Sequence, residues 1–105
     1  MSQETKYDEQ AEILLKEIIA YCYQISTQTK ADAFFDYIPH IKAISIRIYH
    51  NGWSAKSEPG YLNYKGNRDI YFNNDIYGIE GLEYAVQKLE RMYFYYKYKT
   101  QEVKQ

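Results

Sequence analysis

A chain of 105 residues is enough for one core of ordinary size and too short for a second, and 46% hydrophobic with 26% charged residues makes it globular rather than disordered. A formal charge of -1 argues against a general polyanion binder, since proteins that work by counterion release carry a clear basic excess. The lone Cys22 excludes an internal disulfide; with no secretory start and no apolar run of bilayer length, the expectation is a cytoplasmic protein without a membrane partner.

Residues 1–6 read as a polar lead-in without an apolar anchor. From Tyr7 the period is helical: Ala11, Leu14, Leu15, Ile18, Cys22 and Ile25 recur at spacings of three and four, and Glu12 stands four residues before Lys16 in the favourable order. The pattern predicts a helix over residues 7–27, stopped by the polar run 26–30. Thr29 followed by Asp32 resembles a capping arrangement, which predicts a short second helix over 31–37 that Pro39 must end.

The period then changes. Ile44, Ile46 and Ile48 alternate with Ser45, Arg47 and Tyr49, the β-branched signature of a strand with one buried face, placed at 41–50. After the turn chemistry of Asn51-Gly52 and Pro59-Gly60, residues 61–64 and 69–73 read as two more strands joined across 65–68, with Gly66 available for a positive φ. A long helix follows over 79–100, its core stripe formed by Leu82, Ala85, Val86, Leu89, Met92, Tyr93 and Tyr96; residues 101–105 are a polar tail. The predicted class is α+β: a single domain over 7–100, with a three-stranded antiparallel sheet and two long amphipathic helices packed on one face.

Two surfaces are left over by this core. On the last helix Tyr84, Lys88, Arg91, Tyr95 and Tyr98 fall nearly opposite the core stripe, with Phe94 beside them. Aromatic residues and arginine are favoured in protein interfaces, so this is the first candidate partner-binding face. The second is the outer side of the sheet, where Arg47, Tyr49, Tyr61 and Tyr71 point away from the isoleucines. Charge is unevenly spread. Residues 1–38 hold three lysines against seven carboxylates, whereas residues 39–68 hold five basic side chains against Glu58 alone. A basic sheet with tyrosines admits an acidic protein or exposed nucleic-acid bases as its partner.

Chemistry is sought and not found. His40 and His50 lie at opposite ends of the predicted strand, too far apart to share a metal or a proton relay. Cys22 falls on a core stripe, the carboxylates form no acid/base pair by spacing, and Gly78 and Gly81 lack the lysine and glycine spacing of a phosphate loop. No catalytic, cofactor or metal site is assigned. Trp53 is read as a loop anchor covering the edge of the core, or as a partner contact.

The predicted order helix, helix, strand, strand, strand, helix resembles that of the small RelE-type ribonuclease toxins, in order and size alone and without a matching residue motif. That resemblance implies a nucleic-acid-binding or ribonuclease alternative, for which the strand pattern offers the sheet face of Arg47, Tyr49 and Tyr71. The main expectation is a small non-enzymatic interaction domain that binds a host protein or itself. Lysine outnumbers arginine ten to three, and the residues of A/T-rich codons dominate, which suggests a low-GC bacterium, a phage or a mobile element. An accessory protein that modulates a host protein fits that setting, an anti-CRISPR-like inhibitor being one version; a structural homodimer built around the last helix is a further alternative.

Overall fold

A computed structural model describes residues 3–72 and 75–103 of the chain. The elements, in order, are helix α1 (Gln3–Gln28), strand β1 (Asp32–Ile38), a 3-10 turn (Pro39–Ile41), β2 (Ala43–Tyr49), β3 (Gly60–Tyr61), β4 (Asp69–Tyr71) and helix α2 (Ile76–Val103). The class is α+β, with a four-stranded antiparallel sheet and two helices. Both helices outrun their predicted bounds. α1 begins inside the expected lead-in, and α2 starts at Ile76 because the Asp75 carboxylate accepts the Gly78 N–H at 2.8 Å and so caps the first turn. Met1, Ser2, Asn73, Asn74, Lys104 and Gln105 lie outside the described residues.

The short helix expected over 31–37 is strand β1 instead, and the reason lies in Thr29. Its hydroxyl donates back to the Ile25 carbonyl at 2.6 Å and accepts the Ala31 N–H at 3.0 Å, so it closes α1 rather than opening a new helix. Asp32 is drawn off in the same way, its carboxylate accepting the Trp53 N–H at 2.7 Å across the loop that follows β2. Freed from helix, residues 32–38 pair along their whole length with β2, from Asp32 opposite Tyr49 to Ile38 opposite Ala43. The element order on which the RelE resemblance rests therefore does not hold.

The sheet differs from the expected three-stranded arrangement as well. β3 and β4 do not pair with each other; both pair antiparallel with β2, β3 at Arg47 and Ile48 and β4 at Ala43 to Ser45. The third strand is thus broken in two, and the residues between form a tight tip in which Tyr64 and Asn67 exchange backbone hydrogen bonds at 2.9 and 3.0 Å. Lys65 and Gly66 sit at that tip with φ of 53° and 82°, the doubly left-handed turn that suits the twist of a two-stranded ribbon.

Ile44, Ile46, Ile48 and Ile70 from one side of the sheet share a single hydrophobic cluster with Ile18, Cys22 and Ile25 of α1 and Leu82, Leu89 and Tyr93 of α2. The C-terminal parts of both helices meet at the end of β2: the Tyr93 hydroxyl donates to the Gln28 side chain, and Tyr96 bonds His50. No helix among the described residues is long and apolar enough to cross a membrane.

Candidate interaction surfaces

Along α2 the core stripe falls where its spacing puts it, with Leu82, Ala85, Leu89, Tyr93 and Tyr96 buried and Val86 and Met92 half-buried. The opposite side carries Lys88, Arg91, Phe94, Tyr95 and Tyr98, all exposed. Phe94, Tyr95 and Tyr98 keep 59%, 58% and 60% of their surface in solvent, high for large rings on a packed helix. Tyr84 leaves this set. It is half-buried, and its ring lies 5.2 Å from that of Tyr64, against the core. The junction with α1 is closed by polar contacts, the Tyr21 hydroxyl donating to Glu90 at 3.1 Å and the Tyr93 hydroxyl to Gln28, while within α2 the Lys97 ammonium donates to the Tyr93 hydroxyl at 3.2 Å. Partial burial, then the Glu90 carboxylate, raises the Tyr21 phenol above its ordinary value.

The outer side of the sheet is organised by register. Arg47 stands directly opposite Phe34 on β1 and Tyr61 on β3, with Ser45 between Asp36 and Asp69 in the next row. Arg47 lies 4.9 Å from the Phe34 ring centre and Arg68 4.9 Å from that of Tyr61, so guanidinium and ring alternate across the strands. The Arg47 Nε is 3.5 Å from Asp36 Oδ2 and makes no hydrogen bond. Beneath these groups is an open hollow of about 490 Å³ lined by Asp36, Ile38, Ser45, Arg47, Tyr61, Arg68 and Asp69. Tyr49 is buried edge-on against Phe34, and Tyr71 is half exposed at the far end.

That arrangement changes the charge picture. The hollow sets two guanidiniums against two carboxylates, while Lys42, Lys56 and Lys65 are spread over the turns and loops around the sheet. The positive excess of residues 39–68 is therefore not a concentrated patch. The rings of Phe34 and Tyr61 also have guanidiniums stacked on them, and Tyr49 is covered, so they form no open platform for bases.

Other sequence candidates fall apart in space. Trp53 is exposed, with its backbone rather than its ring held in place, so it does not cover the core edge. Cys22 is buried, which pushes its thiol up to about 12 and keeps it in the unreactive form. Among the described residues no group of three or more His, Cys, Asp or Glu side chains could hold a metal ion. Sequence reasoning missed the exposed apolar residues of α1, Ile13, Ile19 and Tyr23. Their signal was available, since all three lie off the stripe defined by Ala11, Ile18, Cys22 and Ile25.

No protein-family model, no curated protein and no solved structure matches the chain.

Proposed function

We propose that this chain is a small non-enzymatic interaction domain whose main contact surface is the outer side of α2, with Phe94, Tyr95 and Tyr98 as anchors and Lys88 and Arg91 at the rim. The exposure of those three rings carries the reading. Solvated aromatic surface on one helix side is free energy held ready for association, and basic side chains beside it favour a partner groove edged by carboxylates. The reading takes both helices to cover the isoleucine face of the sheet, and so leaves the far side of α2 free. It also places the protein in the cytoplasm, in the phage or mobile-element setting that the codon-linked composition suggests, with a host protein as the partner.

The double variant Tyr95→Ser/Tyr98→Ser tests this. Because neither side chain is buried, its stability should stay within about 0.5 kcal/mol of the wild type. Capture of the partner from the native cell should be lost, and a fall in mass by light scattering would identify that partner as a second copy. Intact capture together with unchanged mass would remove the proposal.

A further inference from the structure

Among the described residues strand β1 ends the sheet on one side, pairing with β2 alone. Which of its backbone groups look outward follows from Ser26, whose Oγ donates to the Ala33 carbonyl at 3.2 Å and accepts the Ala33 N–H at 2.9 Å. Both polar groups of Ala33 therefore point away from β2. An antiparallel ladder alternates, so the N–H and C=O of Phe35 and Tyr37 point the same way, toward the open edge. The other side of β2 keeps this phase, with the Leu62 N–H reaching the Ile46 carbonyl and the Phe72 N–H that of Lys42. Ser26 closes the edge at one end; at the other stands Pro39, which has no N–H to offer. Among the described residues, Phe35 and Tyr37 remain as the open rungs between them.

A helical shoulder runs beside this window. Ile19, Tyr23 and Ser26 are spaced by four and three residues and so share one side of α1, the side from which Ser26 reaches the β1 edge. The short connection at 29–31 turns the chain back. Moving from Ser26 toward the helix start, Tyr23 is about 4.5 Å and Ile19 about 10.5 Å away. Moving forward from Ala33, Phe35 is about 6.8 Å and Tyr37 about 13.6 Å along the strand. Tyr23 thus accompanies Phe35, and Ile19 accompanies Tyr37. Both shoulder residues are left in solvent, at 69% and 49% exposure. On the opposite side of the same strand Asp36, whose carboxylate lies 3.5 Å from the Arg47 Nε, keeps about half of its side chain in solvent.

From this geometry we infer that the β1 edge is a strand-addition site for an extended segment of a partner protein whose side chains alternate apolar and basic. The segment's backbone takes up the N–H and C=O groups of Phe35 and Tyr37. Its apolar side chains cover Ile19 and Tyr23, and its basic ones meet the half-exposed carboxylate of Asp36 on the other side of the strand. A second copy of the chain fits poorly. The two-fold pairing that uses both open rungs sets Phe35 against Tyr37 of the other copy, and so places Asp36 directly opposite another Asp36, a destabilising like-charge pair. The site lies on α1 and β1, apart from the α2 rings, and stands or falls without them.

The probe is a capped synthetic peptide of about nine residues, the length of an ordinary strand, alternating valine with lysine; a valine–glutamate peptide is the control. Added to the full chain, the lysine peptide should slow hydrogen exchange at the Phe35 and Tyr37 amides by roughly tenfold or more. Tyr23→Asp, at an exposed site that leaves folding intact, should weaken its binding by about tenfold. Asp36→Lys should reverse the preference between the two peptides, while Tyr95→Ser/Tyr98→Ser should change nothing here. Equal binding of both peptides, protection of other amides in place of Phe35 and Tyr37, no binding of the lysine peptide, or dimerisation of the chain through this edge would each overturn the inference.

Discussion

The Tyr96 hydroxyl and His50 Nδ1 share a hydrogen bond that ties the C-terminal half of α2 to the residue following β2. Burial, with a smaller contribution from neighbouring Tyr95, pushes the Tyr96 phenol up to about 12. The folded state therefore holds this proton more tightly than the unfolded chain does. Its contribution to stability is complete below the ordinary tyrosine value near 10 and is lost as pH rises through 12. Tyr96→Phe should cost about 1 kcal/mol at neutral pH, the net worth of an ordinary hydrogen bond. Urea unfolding of both proteins should show that difference shrinking between pH 10 and 12; a constant gap would sink this account of the pair.

Gly81 lies inside α2, where alanine is ordinarily favoured over glycine by about 1 kcal/mol. Here an added Cβ would come within 3.0 Å of the Ile70 Cγ2 and 3.4 Å of the Tyr64 ring. Ile70 is buried and cannot move aside freely. Thermal unfolding of Gly81→Ala should show little or none of the propensity gain, and Gly81→Val should be clearly less stable than the wild type. A full gain for the alanine variant would mean that α2 is set further from β4 than described.

The sheet hollow makes a negative prediction about nucleic acid. With Asp36 and Asp69 facing Arg47 and Arg68, and with guanidiniums stacked on Phe34 and Tyr61, single-stranded RNA and DNA should bind weakly at low salt. Arg47→Ala and Tyr71→Ala should leave that binding unaltered. A steep salt dependence that either substitution flattens would restore the nucleic-acid alternative for this face.

The class and the two long helices were legible because their signals are repetitive: a core stripe at spacings of three and four in each helix, and Ile44, Ile46 and Ile48 at spacing two. What misled was local and shared. Thr29 carries an N-cap residue type, but its hydroxyl is spent on Ile25 and Ala31, and the Asp32 carboxylate goes to the backbone of Trp53, a contact no local pattern encodes. Residues 61–64 and 69–73 did show strand chemistry, yet their pairing with β2 is decided by long-range register. The α2 surface was legible at Phe94, Tyr95 and Tyr98 because the stripe opposite is strict, whereas Tyr84 was misplaced because Tyr64 folds back onto it. The β1 edge was invisible until β1 itself was a strand.

The most direct test of the interaction-domain claim is site-specific photo-cross-linking in the native cell, with a benzophenone amino acid placed at Tyr98 and, separately, at Gly66 on the exposed tip beside the start of α2, about 30 Å along the helix from position 98. A discrete cross-linked polypeptide should form from position 98 and none from position 66. Equal labelling from both positions, or none from position 98 in cells where the protein still captures its partner, would contradict the claim.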